Sequence, residues 1–301
     1  MKKLTITIVT LFAAISMQLS AQAVHEFSAH AGVGLSSLSY QLSQGNRSGG
    51  FGGDFGVGYT FLQVKERAVE TGRVSYLNWG IHSGIGVGLY NANAKLNDVK
   101  TVTSNLSDGE DKQNGYDIFN LHTTLSGYNE TQNTMFLNIP VMGLFQIDQF
   151  YAMGGVKVGI PLSGKYKSKD ATLKNRAYYP ALDNWIDDLK FRGLGTFSGK
   201  DNNGDLDLGV AVLLSLEAGY KWSIADNLSL YTGVYFDYGL NNVVKGDKQA
   251  FINYDAKNPE NFTANSVLSA YTDDSKSTTF INKANIMAVG IKVRVAMANL
   301  W

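Results

Sequence analysis

The chain has 301 residues, with 26 basic and 26 acidic side chains and no cysteine. A net charge of zero gives no indication of a nucleic-acid partner, and the lack of thiols excludes disulfides, thiolate metal sites, a cysteine nucleophile and a lipoprotein anchor. Charged residues make up only 17% of the chain, against about 25% in an average soluble protein, so we expect much of the surface to lie out of water.

The first residues have the pattern of a secretory signal peptide. Lys2 and Lys3 form a basic start, residues 4–19 are mostly apolar, and residues 21–23 (Ala-Gln-Ala) supply small side chains for cleavage. This apolar run is too short for a membrane span, and no later run approaches the length of about 18 residues that a transmembrane helix needs. We therefore predict a signal peptide over residues 1–23, cleaved after Ala23 or Ala21, and one mature domain over residues 24–301.

After residue 24, apolar side chains recur at every second position in eight separate segments. In the first of them Phe27, Ala29, Ala31, Val33 and Leu35 alternate with small or polar residues. A two-residue period is the pattern of a β-strand with one apolar face. The predicted strands are 24–40, 51–61, 77–89, 135–145, 150–162, 206–222, 228–240 and 284–301.

The connections between these strands alternate in length: the first, third, fifth and seventh are the longer ones. Transmembrane β-barrels show this asymmetry, because their periplasmic turns are short and their extracellular loops are long. The face opposite the apolar one is mostly Gly, Ala and Ser, which suits the narrow interior of eight strands. We predict an all-β, eight-stranded antiparallel up-and-down transmembrane β-barrel with long extracellular loops and its apolar face toward lipid.

The last strand carries a resemblance to a known family. Its apolar residues alternate back from a terminal aromatic residue through Met297, Val295 and Val293, and the aromatic residue is Trp301. Together with the signal peptide, the eight strands and the long alternate loops, this strand resembles those of the small porin-family outer-membrane barrels, similar to the OmpA-type transmembrane domain and to OmpX. We do not expect the periplasmic peptidoglycan-binding domain of full OmpA-type proteins, because no residue follows Trp301.

The resemblance implies a compartment and partners. It implies the outer membrane of a Gram-negative bacterium, reached through the periplasm, with outer-membrane lipid and lipopolysaccharide around the barrel. It also implies that the barrel-assembly machinery reads Val293, Val295, Met297 and Trp301 as an assembly signal.

The strand pattern turns a set of charged side chains toward the barrel interior. A buried charge is tolerated only when it is paired, so we predict a salt-bridged plug that fixes the strand register. A second interpretation makes Arg294 and Asp237, expected at similar heights, a gate in a narrow solute path. We likewise expect Asp54 and His82 at similar heights. The predicted interior set is His30, Asp54, His82, Lys157, Glu217, Lys221, Asp237, Lys292 and Arg294.

A catalytic interpretation of the same residues is weaker. It would use His30 or His82, with Asp54 and an interior serine, as a hydrolytic triad acting on lipid. Lipid-modifying barrels place such sites at the lipid-facing rim, whereas these side chains are predicted to point inward. We therefore predict no enzyme activity, no catalytic residue, no cofactor and no metal site.

The long connections contain candidate contact residues. Residues 180–191 have apolar side chains at helical spacing, which predicts a short helix over the barrel mouth. Tyr178, Tyr179 and Trp185 are the aromatic residues predicted to contact a surface ligand. Residues 201–207 alternate oxygen-bearing side chains like the start of a calcium loop, but Leu206 and Val212 occupy the positions where such a loop has Gly and Glu. We therefore predict a tight turn there.

Two functions remain open from the sequence. The first is a structural or surface-exposed anchor whose long loops bind or mask. The second is a narrow porin-like channel that passes small solutes or ions through the glycine-lined sector of the first three strands.

Overall fold

The computed structural model is all-β and describes residues 23–68, 74–107, 118–169, 171–198, 201–253, 262–272 and 278–299. The predicted signal peptide lies outside these residues except for Ala23, where the first strand begins. Within the described ranges, no helix is long and apolar enough to cross a membrane.

The strands differ widely in length, and the longest ones build the main sheet. In chain order they are β1 (Ala23–Leu42), β2 (Asn46–Ala68), β3 (Val74–Leu96), β4 (Val99–Ser107), β5 (Ile118–Ser126), β6 (Tyr128–Ile147), β7 (Phe150–Lys169), β8 (Thr172–Tyr179), β9 (Asn184–Ile186), β10 (Gly195–Ser198), β11 (Asn202–Asp205), β12 (Ala211–Ala225), β13 (Leu228–Gly239), β14 (Gln249–Ala250), β15 (Ile252–Asn253), β16 (Thr263–Ala264), β17 (Ala270–Tyr271) and β18 (Ile281–Asn299).

Eight of these strands form a closed antiparallel ring. Its order is β1, β2, β3, β6, β7, β12, β13 and β18, and β18 pairs again with β1. The first and last strands therefore close the sheet, with Ala29 opposite Val295 and Val33 opposite Ile291. We call this arrangement the ring. Each of the eight predicted strands overlaps one ring strand, because the two-residue period is a local property of each strand.

The two faces of the ring differ in chemistry. In β12 the side chains alternate between buried and exposed, and the exposed ones are Val212, Leu214 and Leu216, whereas the buried ones include Ser215 and Glu217. The same inversion recurs around the ring, with large apolar side chains outside and charged ones inside. The outward face of the ring is therefore an apolar belt.

A second sheet extends from the end of the ring at which the connections are long. Its order is β10, β8, β5 and β4, with β9 paired to β8. Together with residues 249–253 and 262–272 we call this part the cap. A continuous buried core joins Phe136 and Leu213 of the ring to Leu121, Phe251 and Val267 of the cap.

The long connections, whose structure the sequence left open, contain strands of their own. Phe119, Leu121 and Leu125 lie at alternate positions of β5 and are buried, so the two-residue period continues where we expected a polar connection. Residues 202–205 form β11, which pairs with β7, and are not the predicted tight turn. The predicted helix over residues 180–191 is also wrong, because this segment contains β9 and a single 3₁₀ turn at Lys190–Arg192.

Candidate functional site: the charged interior of the ring

The interior charges are set by the inward positions of neighbouring strands. On β1, His30 lies opposite Arg294 of β18, and Gly32 lies between Lys292 of β18 and Asp54 of β2. Because Gly32 has no side chain, the charged groups on either side of it can meet. The Lys292 Nζ atom is 3.5 Å from the Asp54 carboxylate.

Asp54 is the centre of the first cluster. Its carboxylate lies 2.8 Å from His30 Nε2 and 3.6 Å from Lys157 Nζ. Lys157 in turn lies 2.7 Å from the carboxylate of Asp237, which also accepts a hydrogen bond of 2.6 Å from the Ser215 hydroxyl. The cluster therefore links β1, β2, β7, β12 and β13 across the interior.

Glu217 is the centre of the second cluster. Its carboxylate is 3.3 Å from Lys292 and 3.8 Å from Arg294, and it accepts a 2.9 Å hydrogen bond from the Tyr151 hydroxyl. The Arg294 guanidinium also lies over the rings of Tyr231 and Tyr151, at 4.3 and 5.4 Å from their centroids. Cation–π contact of this kind stabilises a desolvated cation.

The third cluster lies near the short-turn end of the ring and joins Lys221, whose inward position the sequence predicted, to Glu26, which the prediction missed. The Glu26 carboxylate is 2.8 Å from Lys221 Nζ and accepts a 2.8 Å hydrogen bond from the Tyr231 hydroxyl. Glu26 has the same strand parity as Ser28 and His30, so continuing that count by two residues would have found it. Tyr231 touches both Glu26 and Arg294, and so joins this cluster to the second.

The three clusters balance their charges. They hold four carboxylates and four cations, and His30 is an additional partner of Asp54. The charged side chains of the three clusters are mostly buried; for example, Lys157 is 3% exposed and Asp237 is 1% exposed. The carboxylates are Glu26, Asp54, Glu217 and Asp237, and the cations are Lys157, Lys221, Lys292 and Arg294.

The predicted pairing of Arg294 with Asp237 is wrong. Across β13 and β18, Asp237 lies opposite Ala288, whereas Arg294 lies opposite Tyr231, six residues away along each strand. Each of the two charges therefore finds a different partner, Lys157 for Asp237 and Glu217 for Arg294. A gate made by this pair is not present.

The predicted match of Asp54 with His82 is also wrong. His82 lies opposite Thr60, and its Nδ1 atom is 2.8 Å from the Thr60 hydroxyl oxygen. Asp54 lies opposite Gly88, six residues further along β3. Asp54 pairs instead with His30, and the Ser28 hydroxyl donates to the carbonyl of Gly58.

The glycine-rich sector leaves little open space. A Cβ atom on Gly34 would come within 2.5 Å of the Gly290 Cα atom, so the strands approach each other closely there. Elsewhere side chains fill the space, as the His82 ring does beside Gly58. The interior cavity bounded by His30, Lys157 and Arg294 has a volume of about 20 Å³, which is room for about one water molecule.

Arg294 has hydrogen-bonding capacity that the described chain does not use. Its Nη1 group donates to the Met153 sulfur at 3.3 Å, whereas Nε and Nη2 are buried without a hydrogen-bond partner among the described residues. A buried water molecule in the adjoining cavity would satisfy such donors.

The predicted loop contact residues separate into two groups. Trp185 is 42% exposed and packs against Tyr178 in a tilted arrangement, with ring centroids 5.0 Å apart. Tyr179 is 6% exposed and packs on Phe119 inside the cap. Consecutive residues of a strand point to opposite faces, so Tyr178 and Tyr179 of β8 cannot both face a ligand, and the prediction for Tyr179 is wrong.

The predicted assembly-signal residues lie on the outward face of β18. Val293, Val295 and Met297 are all exposed there. Trp301 lies outside the described residues.

Comparisons with known proteins give no family assignment. No protein-family model matches the chain, and no curated protein matches its sequence. Among solved structures, Neisserial surface protein A is similar at 8% identity and a TM-score of 0.28, with 92% of this chain and 98% of that chain covered.

Two further solved structures were found at lower TM-scores. The translocator domain of the autotransporter NalP from Neisseria meningitidis has 12% identity and a TM-score of 0.14, with 98% of this chain and 95% of that chain covered. A Pseudomonas aeruginosa FadL homologue has 7% identity and a TM-score of 0.16, with 93% and 90% covered. TM-scores this low add nothing to the fold assignment, which depends on the strand pairing described above.

Proposed function

We propose that the ring is an eight-stranded barrel that spans a bacterial outer membrane, and that the protein is a closed anchor that holds the cap at the cell surface. The outward apolar belt supports the membrane placement. On β7 the exposed apolar side chains run from Phe150 to Leu162, which is about 40 Å along a strand. At a tilt of about 45° this length corresponds to about 28 Å of membrane, close to the band of about 25 Å in such barrels.

The closed sheet also supports this placement. Lipid offers no hydrogen-bond partner to an open sheet edge, so a sheet can enter a membrane only when it closes on itself. The pairing of β1 with β18 removes the edge that those two strands would otherwise present.

The observation that carries the anchor role is the filled interior. Three connected charge clusters cross it, the cavity beside them holds about 20 Å³, and the buried core of the cap continues into the ring. A conducting path would require this network to open, at the cost of separating buried ion pairs. The role proposed here is therefore non-catalytic and structural, with the exposed cap binding or masking at the surface.

The proposed localisation and partners follow from the same placement. The chain would reach the outer membrane through a signal peptide, with Val293, Val295 and Met297 of β18 available to the barrel-assembly machinery. Outer-membrane lipid and lipopolysaccharide would surround the belt. We propose no nucleic-acid partner.

Electrical recording in a planar bilayer tests the anchor against the channel. We expect the inserted wild-type protein to give no steady conductance under voltage. A steady conductance that Arg294→Ala abolishes or alters would overturn the plug and favour the narrow porin-like channel. Insertion is checked in the same sample by the heat-dependent gel mobility of the folded barrel.

Spin labels test the membrane placement independently. Labels at Val212 and Val234, which are exposed on the outward face of the ring, are expected to report hydrocarbon. A label at Asp183, an exposed cap residue, is the control and is expected to report water. Water contact at all three positions would refute the membrane placement.

A further inference from the structure

The outer face of β7 changes character just beyond the apolar belt. Lys165, Lys167 and Lys169 are all exposed, and the residues between them, Tyr166 and Ser168, are buried. Alternate residues on one face of a strand are about 6.6 Å apart, so the three ammonium groups form a row on the outside of the wall.

A β-bulge turns these lysines outward. Between β6 and β7, Met135 lies opposite Ser163, but the next residue, Phe136, lies opposite Pro161, so Leu162 is an extra residue. An extra residue reverses the alternation of the strand that contains it. Before the bulge the odd-numbered Lys157 points inward; after it the odd-numbered lysines point outward.

The neighbours of the row on β6 are polar and uncharged. On β6, Asn133, Thr131 and Asn129 lie opposite the three lysines. Beyond Asn129, the exposed Lys95 of β3 adds a fourth cation at the same level. We call Lys95, Lys165, Lys167 and Lys169 the lysine band.

Two carboxylates lie near the lysine band. Asp205 of β11 is the cross-strand neighbour of Lys165, and the exposed Asp201 precedes Asn202, which lies opposite Ser168 next to Lys169. Four cations and two carboxylates leave a local charge of +2. Among the residues that the structure describes, Lys165, Lys167 and Lys169 form no salt bridge. The band therefore has unneutralised positive charge and adjacent amide and hydroxyl groups.

The position of the lysine band along β7 indicates which kind of ligand neutralises its charge. Lys165 follows the exposed Leu162 by three residues, about 10 Å along the strand, at the end of the ring that carries the cap. If the belt lies in lipid, as the proposed function requires, these cations lie at the level of the lipid headgroups of the outer leaflet. Cations at this level are attracted to anionic headgroups.

We infer that the lysine band binds the phosphorylated sugar headgroup of an outer-leaflet glycolipid. The lysines would contact the phosphate groups, and Asn133, Thr131 and Asn129 would exchange hydrogen bonds with sugar hydroxyls. This inference rests on the proposed membrane placement, and it assigns the contact to one sector of the wall, β3, β6 and β7.

Lipid binding by the inserted protein tests this inference. The test variant is Lys165→Gln with Lys167→Gln and Lys169→Gln. The control variant, Lys100→Gln with Lys174→Gln and Lys190→Gln, removes the same charge from exposed cap positions. Each protein is inserted into phosphatidylcholine nanodiscs that contain graded amounts of diphosphoryl lipid A, and the lipid A that it retains after extraction in uncharged detergent is measured.

We expect the wild-type and control proteins to retain diphosphoryl lipid A and the test variant to bind it about a hundredfold more weakly, since each lysine at a membrane surface contributes about fivefold. Retention should also fall with added salt and with lipid A from which the phosphates have been removed. Equal retention by the wild-type and test proteins, or an equal loss in the control, overturns the inference. Equal retention of phosphatidylglycerol overturns the assignment to a glycolipid.

Failure of membrane insertion and failure of glycolipid binding give different results. Insertion is scored first, from the heat-dependent gel mobility and from protection of the ring strands against protease. A wild-type protein that does not insert refutes the proposed function and the inference with it. An inserted wild-type protein that shows no preference for diphosphoryl lipid A refutes the inference alone.

Discussion

Lys157 and Asp237 form an ion pair, with Nζ 2.7 Å from the carboxylate, although their strands are not adjacent in the ring. Lys157 belongs to β7 and Asp237 to β13, and β12 lies between those strands in the ring. In a narrow closed sheet the inward side chains converge, so those of second-neighbour strands can meet over the inward face of the strand between them. The Ser215 hydroxyl of β12 completes the contact by donating to the same Asp237 carboxylate.

Replacing Asp237 is therefore expected to destabilise the ring strongly. In Asp237→Asn the buried Lys157 keeps only the more distant Asp54 at 3.6 Å, and removing one partner of a buried ion pair costs about 3–5 kcal/mol. The measurement is the urea midpoint of the detergent-folded protein, followed by heat-dependent gel mobility. Asp187→Asn, which breaks an exposed pair with Arg176, should leave the midpoint unchanged, and equal midpoints for the two variants would contradict the prediction.

The pairing of Lys157 with Asp237 marks the limit of what the sequence predicts. That both side chains point inward follows from the two-residue period, which is local to each strand. Which inward charges touch depends on the stagger between strands, and that is a property of the assembled sheet. Arg294 illustrates the difference, because its inward position was predicted and its partner, Glu217, was not.

The sequence also failed to show how far β7 extends and which way its last side chains point. The bulge at Leu162 reverses the parity of β7, so counting alternate residues past Pro161 places Lys165 and Lys167 on the wrong face. The strand also continues to Lys169, although its composition becomes polar. Around Tyr166 the solvated face of the strand carries polar residues, and the opposite face carries one aromatic residue. Such a strand gives a weak hydropathy signal.

Two glycines of the ring are expected to respond differently to a methyl group. A Cβ atom at Gly34 would lie 2.2 Å from the Val289 carbonyl oxygen, whereas at Gly143 the nearest atom would be 3.7 Å away. Backbone atoms of a paired strand cannot move aside cheaply, so Gly34→Ala should destabilise by about 1–3 kcal/mol, the usual cost of overpacking. Urea midpoints would measure this effect, with Gly143→Ala as the matched control.

A stable Gly34→Ala protein would contradict the close approach of β1 and β18. The same result would weaken the case for a closed ring, since Gly34 and Gly290 face each other where the first and last strands meet.

Glu130 should be essential for the cap. Its carboxylate accepts hydrogen bonds from the side chains of Tyr128, Gln132 and Ser266, at 2.8, 2.8 and 2.5 Å, and from the Val267 backbone N–H at 2.9 Å. In Glu130→Gln one acceptor becomes a donor facing another donor, which leaves buried groups unsatisfied at a cost of about 1–3 kcal/mol.

The expected result for Glu130→Gln is local, because the acceptor joins β6 to residues 262–272. Protease cleavage within those residues should become faster while the ring keeps its heat-dependent gel mobility. Asp205→Asn changes an exposed carboxylate in the same way and should leave cleavage unchanged. Similar cleavage rates for the two variants would mean that Glu130 does not hold this segment.

His122 of the cap is expected to titrate below its ordinary range. Partial burial lowers the pKa of His122 from its usual 6.5, and the nearby Arg176 charge lowers it further. The imidazole ring lies 4.7 Å from the Trp185 ring, which also has the Arg176 guanidinium 4.6 Å above it. Since a protonated imidazole quenches an adjacent indole, the fluorescence of Trp185 reports the state of His122.

The predicted titration is measured in a chain whose other three tryptophans, Trp79, Trp222 and Trp301, are replaced by Phe. Trp185 fluorescence should fall with a midpoint below pH 6.5, His122→Asn should abolish the change, and Arg176→Gln should move the midpoint upward. Because the folded pKa is lowered, the unfolded state binds more protons between the two pKa values, so stability is full above pH 6.5 and declines as the pH falls through the folded pKa. A midpoint at or above 6.5 would place His122 in water, away from Arg176, and would contradict the packing of β5 against β8 and β9.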